Sequence, residues 1–362
     1  VEAARADVAG LIGAASDEIV FMSGGTESCV QAIIGWALAD ATGRGVAASA
    51  VEHPAVLQAL ELLASAPFRR PVSQINVTTS GSLDETSFAE ALAARPGLLS
   101  IMAANNETGI EFPLDDVVRQ AAAIGAVVHC DATQAVGKVQ LNWQELGLSF
   151  LSFSGHKLGA PKGIGALIVS AQAPWKPFMV GGGQERGRRG GTEAVAQIVG
   201  LGAAARAAAA ELASGQHERL RQLRDLFEAR LGELLDGIRV HGNAAPRLPN
   251  TSSVLIADVL SRAIVPELAA DGVVISAGSS CQTEHSSPSH VLQAMGVSPA
   301  DAFSTVRVSF GPRSTPEDAL AVAEAIASCA LRERTKNRER FEMLRRSERE
   351  VGEHEFNHKV EP

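Results

Sequence analysis

Two short segments place residues with catalytic chemistry directly after apolar runs. Ser154-Gly155-His156-Lys157 follows one run, and a lysine at the end of a strand can form a Schiff base when its amine is neutral. Asp131 follows another run, where a carboxylate can pair with the protonated nitrogen of a pyridine ring. Taken alone, each has an ordinary explanation: a solvated lysine, and an aspartate that caps the next helix.

A third segment, Ser23-Gly24-Gly25-Thr26, lies between a predicted strand and a predicted helix. Glycines allow an anion to approach the backbone, and the start of a helix offers free N–H groups and the positive end of its dipole. A phosphate group would be well held at Gly25 and Thr26, although a simple capped turn explains the same residues equally well. A phosphate site, a strand-end aspartate and a strand-end lysine together are what a pyridoxal phosphate (PLP) enzyme requires.

The elements that must position these residues alternate along the first 200 residues. Short apolar runs predict strands, and stretches of helical periodicity separate several of them. This alternation predicts an α/β fold with a mostly parallel sheet, in which ligands lie at the carboxyl ends of the strands. Helices are expected at 1–13, 26–41, 54–64, 87–94 and 114–123, and strands at 18–22, 46–50, 99–103, 125–130, 150–154 and 165–169.

The second half of the chain predicts a different organisation. A long helical pattern over 198–235 links a large domain, 1–205, to a small C-terminal α+β domain, 206–331. In the small domain the pattern indicates strands at 252–256, 273–276 and 306–310, and a helix over 316–331. The last segment, 332–362, is rich in charges of both signs and is expected to be a solvated helix or a disordered tail.

Composition excludes several functional classes. The chain has 362 residues, of which 46% are hydrophobic and 20% charged, values ordinary for a globular protein. A net charge of −9 argues against direct binding of nucleic acid. The four cysteines are scattered, so we expect neither a metal site nor a disulfide framework, and a cytoplasmic location. We find no apolar run of membrane length and no signal peptide, and without an initiator methionine we expect the chain to lack its natural beginning.

Several long stretches resemble one family, the NifS/IscS-like cysteine desulfurases, which are fold-type I PLP enzymes of the class V aminotransferase family. The resemblance extends from the first residues to about Leu331. Members normally begin with a further segment that contains an Asn-Ala-Thr-Thr-Pro-like motif, and this chain does not show it. The stretches are FMSGGTES, VEHPAV, ANNETGIEFP, VHCDATQAVGK, SFSGHKLGAPKGIGAL, GGGQERGRRGGTE and AGSSC.

The resemblance implies a role for each matching residue. Lys157 is expected to bind PLP covalently, Asp131 to pair with the ring nitrogen, and His53 to stack on the ring and move protons. The remaining cofactor contacts would be Asn106 and Gln134 near the ring hydroxyl, and Gly25, Thr26, Ser154 and His156 around the phosphate. Thr192 matches a threonine that reaches the cofactor of a neighbouring subunit, which implies a homodimer. Arg307 matches the arginine that binds the substrate carboxylate, a task that suits a guanidinium.

Cys281 indicates which of the many PLP-dependent reactions to expect. It lies in the polar, glycine- and serine-rich stretch 276–283, which predicts a loop, whereas Cys29, Cys130 and Cys329 fit buried structural cysteines. The resemblance implies that Cys281 attacks the sulfur of PLP-bound L-cysteine, releases L-alanine and becomes a persulfide. His53, His285 or the charge of the cofactor would favour its thiolate form. The sulfur would pass to an acceptor protein of iron–sulfur cluster assembly or thiolation, for which the charged tail is a candidate docking element.

Three alternatives stay open. The loop sequence Ser-Ser-Cys-Gln-Thr-Glu-His departs from the commoner family form and is similar to selenocysteine lyases. A PLP aminotransferase would use Lys157 and Asp131 but would have no use for Cys281. An inactive scaffold would fail to bind PLP.

Overall fold

The structure is a computed structural model that describes residues 1–278 and 287–357, with side chains as far as residue 339. Within these ranges the chain forms two sheets flanked by helices. The α/β class predicted from the sequence is confirmed. The predicted domain limits at 205 and 331 stay predictions.

The large sheet has seven strands in the described part of the chain, in the order β1-β7-β6-β5-β4-β2-β3. Five neighbouring strands pair in parallel, in the order β6, β5, β4, β2 and β3. Strand β7 runs antiparallel to both β6 and β1. The sheet is therefore mostly parallel, as predicted. Its strands are β1 (Ile19–Met22), β2 (Val46–Ser49), β3 (Val72–Ile75), β4 (Leu98–Ser100), β5 (Val127–Asp131), β6 (Phe150–Ser154) and β7 (Gly165–Val169).

Helices cover both faces of this sheet. They are α1 (Glu2–Ile12), α2 (Gly25–Ala39), α3 (Pro54–Ala64), α4 (Glu85–Ala93), α5 (Leu114–Ala123), α6 (Trp143–Leu146) and α7 (Val195–Ala213). Alternate residues of β1 show the two faces: Val20 and Met22 pack with α2 and α3, and Ile19 and Phe21 with the cluster that includes α1, α5 and α7. Strands buried on both faces read as continuous apolar runs, and this is why the sequence revealed them.

The second sheet, in the C-terminal part of the chain, is antiparallel and has the order β10-β11-β9-β8 in the described residues. Its strands are β8 (Ile238–Val240), β9 (Thr251–Ile256), β10 (Ser276–Ala277) and β11 (Thr305–Ser309). Apolar residues of α8, α9 and α12 bury one separate core against it. The helices are α8 (Gln216–Leu234), α9 (Ser261–Ala270), α10 (His290–Ala294), α11 (Pro299–Phe303) and α12 (Pro316–Asn357).

The structure corrects several predicted elements. The long helical pattern over 198–235 is two helices, α7 and α8, which separate at Gly215 with a φ of 78°, a conformation that favours glycine. The strand expected at 273–276 is reduced to the two residues of β10. The helix expected to end at Leu331 continues to Asn357, so the first part of the charged tail is helical.

One helix of the described residues, α7, is long and apolar enough to cross a membrane by length and composition. The expectation that no apolar segment reaches this length is therefore wrong. Core helices meet the same criteria, and α7 buries Ile198, Leu201 and Ala205 in the core that it shares with α1.

Candidate active site

A cavity of about 260 Å³ lies where the parallel strands of the large sheet end. Two residues at the ends of strands β5 and β6 line it, and others come from the segments that follow β2, β4, β5 and β6. Arg307 reaches the cavity from β11 of the small sheet. The lining residues are Gly25, Thr26, His53, Met102, Ala104, Asn106, Asp131, Thr133, Gln134, Ser154, His156, Lys157 and Arg307.

Ten residues predicted from the sequence meet in this cavity, although they are up to 282 positions apart, from Gly25 to Arg307. Thr192 does not line it; it is exposed just before α7. Cys281 and His285 lie outside the described residues. The buried state predicted for Cys29, Cys130 and Cys329 is confirmed.

One end of the cavity suits a phosphate group. Helix α2 begins at Gly25, where its first N–H groups have no partner within the helix. A Cβ on Gly25 would lie 3.2 Å from Ser154 Cβ and 3.2 Å from Thr133 Oγ1, so a side chain there would close the space. Opposite this helix start, Ser154 Oγ and His156 Nδ1 share a hydrogen bond of 2.8 Å. An anion held here gains backbone donors and the positive end of the α2 dipole.

Asp131 provides the carboxylate of the site. It is the last residue of β5, and only 8% of its surface is exposed. Thr133 N donates to its Oδ1 (2.9 Å), and no Lys or Arg among the described residues forms an ion pair with it. A nearly buried carboxylate of this kind favours a cationic partner, such as the protonated nitrogen of a pyridine ring.

Lys157 provides the amine. It lies on a short 3₁₀ helix, Gly155–Leu158, that follows β6 directly, and the chain then turns at Gly159, with a φ of 89°. Partial removal from water lowers the pKa of Lys157, and the positive charge of Arg307 acts in the same direction. Both effects increase the fraction of neutral amine, which is the nucleophilic form.

His53 caps the start of helix α3, and its Nδ1 accepts a hydrogen bond from Ala55 N (3.1 Å). This bond fixes Nδ1 as the unprotonated nitrogen of the neutral ring and leaves Nε2 as the donor. Removal from water lowers the pKa of His53, and the charge of Asp131 acts against this effect. At neutral pH the ring is therefore biased toward the neutral form.

Glu52, a fully buried carboxyl group, lies next to His53 in the chain, and no sequence pattern pointed to it. Its Oε1 accepts from Ser49 Oγ (2.6 Å) and Met102 N (2.8 Å), and its backbone oxygen accepts from His290 Nε2 (3.0 Å). Burial raises the pKa of Glu52 to about 8, and the charge of Asp131 adds to this effect. Glu52 thus ties the ends of β2 and β4 together next to His53.

Arg307 connects the small sheet to the pocket. Its Nη1 donates to the backbone oxygen of Asn106 (2.7 Å), and its Nη2 donates to Ser276 Oγ (3.2 Å). Burial lowers its pKa while the negative charge of Glu107 raises it, and an arginine stays charged at any physiological pH. Glu107, a second residue that the sequence analysis missed, accepts a hydrogen bond from Ser289 Oγ.

Lys138 is a third missed residue, although it ends one of the stretches that carry the family resemblance. Its Nζ donates to Gln134 Oε1 (2.9 Å), which orients the amide of a residue predicted to contact the cofactor. Burial lowers the pKa of Lys138 to about 8, with contributions from the charges of Lys157 and Arg307. The sequence carries no signal for this, because the burial of one lysine depends on the tertiary fold.

Taken together, the lining residues fit PLP. Gly25, Thr26, Ser154 and His156 would hold the phosphate, and Asp131 would hold the ring nitrogen. Lys157 would hold the aldehyde carbon.

Comparisons with known proteins show the family to which this chain belongs. Residues 1–322 match the family described as aminotransferase class-V. The chain is similar to a cysteine desulfurase of Gluconacetobacter diazotrophicus, 43% identical over 317 residues, which cover 87% of this chain and 78% of that protein. It is also similar to the cysteine desulfurase NifS of Azotobacter vinelandii, 39% identical over 316 residues, with coverages of 87% and 78%.

A solved structure of a NifS-like protein superposes with a TM-score of 0.82 at 32% identity, covering 90% of this chain and 86% of that chain. The fold, the pocket and the matched length lead to the same assignment. This chain belongs to the class-V aminotransferase family, whose members depend on PLP.

Proposed function

We propose that this chain is a PLP-dependent cysteine desulfurase, which takes the sulfur from L-cysteine, releases L-alanine and carries the sulfur as a persulfide on Cys281. The observation that carries the proposal is the similarity to named cysteine desulfurases over 87% of the chain. The pocket supports it, because Lys157, Asp131 and Arg307 together suit an amino acid substrate.

In this mechanism PLP, when bound, supplies an electron sink for the bond that breaks at the substrate Cα. The ε-amine of Lys157, neutral as its lowered pKa favours, accepts the proton from that carbon. Asp131 would keep the proton on the pyridine nitrogen of the bound cofactor, and Arg307 would orient the substrate through its carboxylate. His53 Nε2, the protonated nitrogen of the neutral imidazole, would move a proton beside the bound cofactor.

The sulfur transfer from substrate to Cys281 needs no added oxidant. The Cys281 thiolate forms an S–S bond to the substrate sulfur, the substrate C–S bond breaks, and the electron pair remains on the substrate carbon. Protonation of that carbon, Cβ, and return of a proton to Cα give alanine, and Cys281 is left as a persulfide. Only the thiolate reacts, and the ordinary pKa of a cysteine is about 8.5, so this step favours groups that stabilise a negative sulfur.

The proposal extends to assembly, acceptor and location. Exposed apolar residues flank Thr192 on both sides, among them Phe178, Val180, Val195 and Val199. A surface of this kind supports a homodimer in which Thr192 reaches the partner's cofactor. The sulfur acceptor is a thiol-bearing scaffold or carrier protein of iron–sulfur cluster assembly or thiolation. Free buried thiols suit a reducing compartment, so we place the enzyme in the cytoplasm.

Replacing Cys281 by serine tests the central claim. The variant is expected to keep the visible absorption of bound PLP and to lose sulfide release from L-cysteine by at least about a hundredfold. Alkylation and mass spectrometry should detect the persulfide in the unmodified chain only. Cys329→Ser, which removes a buried cysteine of the small domain, is the matched control.

Three outcomes would replace the proposal by an alternative. Unchanged turnover of amino acids by Cys281→Ser would indicate an aminotransferase. Rapid turnover of selenocysteine with negligible turnover of cysteine would indicate a selenocysteine lyase, as the loop sequence after Cys281 suggests. A purified chain that takes up no PLP would indicate an inactive scaffold.

A further inference from the structure

A negatively charged residue occupies the helix end that is proposed to bind phosphate. Glu27 lies in the first turn of α2, two residues after Gly25. A carboxylate at this position is favoured by the helix dipole when no ligand is present. It competes with a phosphate dianion for the same positive helix end, and the two negative charges repel each other.

Arg189 offsets most of the negative charge of Glu27, and so most of its repulsion of a phosphate. Its Nε donates to Glu27 Oε1 (2.9 Å), and its Nη2 donates to Glu27 Oε2 (3.1 Å), a two-pronged pair between residues 162 positions apart. Side-chain exposure is 13% for Glu27 and 20% for Arg189, so water screens the pair only in part.

Glu27 has a second task at the turn before the helix. Its Oε2 accepts a hydrogen bond from Ser23 N (2.6 Å), and this bond fixes the Ser23–Gly25 turn that leads into the phosphate end of the cavity. Burial alone would raise the pKa of Glu27, but the hydrogen bonds from Arg189 and Ser23 outweigh burial and lower it. The carboxylate is therefore charged. Glu27 fixes the turn, but its negative charge also repels a phosphate bound at the same helix end.

We propose that Arg189 is a positioning residue for the cofactor phosphate: it neutralises Glu27, so that Glu27 shapes the Ser23–Gly25 turn without repelling the phosphate. This inference rests on the proposed function insofar as PLP is the ligand. It assigns to the glycine-rich stretch around residues 181–191 a role within its own subunit, in addition to the role of Thr192 toward the partner.

The alternative is that the Glu27–Arg189 pair merely attaches the glycine-rich stretch to α2. The two explanations differ in their dependence on the phosphate group. If Arg189 acts through charge, its removal weakens the binding of PLP but not that of pyridoxal, which has the same ring and aldehyde without the phosphate. If Arg189 only attaches the stretch, both ligands are affected equally.

The experiment measures the affinity of the full chain for PLP and for pyridoxal by absorption titration, after removal of bound cofactor. Arg189→Met is expected to weaken PLP binding about tenfold or more and to leave pyridoxal binding within about twofold. Arg189→Lys, which keeps the charge, and the double variant Glu27→Gln/Arg189→Met, which removes both charges, are expected to bind PLP nearly as the unmodified chain does. Arg186→Met is the matched control, because Arg186 is on the same stretch but pairs with exposed Glu2.

Equal losses for PLP and pyridoxal in Arg189→Met would overturn the inference, as would a double variant that binds PLP no better than Arg189→Met. Should Arg189→Met fail to fold, as judged by circular dichroism, Arg189→Lys and the double variant decide the question: weak PLP binding in both overturns it. An unmodified chain that binds no PLP would overturn the proposed function and this inference together.

Discussion

The buried ion pair between Arg5 and Glu185 should contribute more to stability than any exposed pair of the large domain. Arg5 Nη1 and Nη2 donate to the two carboxylate oxygens of Glu185 at 2.7 and 2.8 Å, and each side chain is 3% exposed. Phe21 N donates to the same carboxylate (2.9 Å), and the Arg5 guanidinium lies 4.6 Å from the centre of the Phe21 ring. The pair thus joins α1 and β1 to the glycine-rich stretch.

Replacing Arg5 by methionine would leave the Glu185 carboxylate buried with Phe21 N as its remaining donor. Breaking a buried pair in this way costs roughly 3–5 kcal/mol in the free energy of unfolding. Replacing both residues by methionine removes the unpaired charge, so the double variant should be more stable than Arg5→Met by about 2 kcal/mol. The backbone N–H of Phe21 would lose its carboxylate partner, which limits the recovery.

The assay is urea-induced unfolding of the full chain, followed together with the rate of proteolysis within residues 181–191. Arg5→Met should lower the unfolding midpoint and accelerate this cleavage, because Glu185 holds the stretch with left-handed backbone at φ 47°. Arg206→Met is the control: Arg206 pairs with Asp7 of α1, but it is 62% exposed, and its loss should cost about 1 kcal/mol or less. An Arg5→Met variant as stable as Arg206→Met would refute the reasoning.

Two further predictions concern pH. Lys138 has a pKa of about 8 in the folded chain and near 10.5 when unfolded, so folding releases a proton between these values and stability should rise with pH across that window. Lys138→Met should be more thermostable than the unmodified chain at pH 7, and the difference should shrink toward pH 10; a constant difference would contradict this. His129 has a pKa of about 3 when folded and 6.5 when unfolded, so stability should fall as the pH drops below 6.5, by about 2 kcal/mol at pH 5. His129→Gln should show a flatter melting-temperature profile between pH 7 and 5, and an equally steep one would contradict the assignment.

The sequence predicted the elements whose signal is local. Strands β6 and β7 and helices α3 and α5 have the predicted bounds, because both faces of the strands are apolar and the helices carry clear periodicity. Strand β3 was missed, since it is a sheet edge with polar, half-exposed residues in Val72–Ile75. The division between α7 and α8 depends on one glycine in a left-handed conformation, and an alanine-rich pattern conceals it.

For the site, the motifs and the family resemblance that they carry were sufficient to name ten residues that line one cavity. The residues that support them were not named, because each acts through a contact distant in sequence. Glu52 bonds Met102 across 50 positions, and Glu27 pairs with Arg189 across 162. Nothing in a single sequence distinguishes these charged residues from solvated ones. The contribution of Cys281 stays a prediction.

His129 has a consequence for how the sheet reaches its correct alignment. The fully buried imidazole shares hydrogen bonds with Ser100 Oγ on β4 (2.8 Å) and Ser152 Oγ on β6 (2.9 Å). One side chain of β5 therefore contacts both neighbouring strands, and both bonds depend on how these strands are aligned. A shift of β5 by one residue would take the imidazole away from both hydroxyls, and each buried polar group left without a partner costs about 1–3 kcal/mol. Misaligned sheets are thereby penalised during folding, and the alignment that brings Asp131 next to the segment of Lys157 is selected over its neighbours. The buried hydrogen bonds of His129 thus favour the strand alignment on which the geometry of the catalytic site depends.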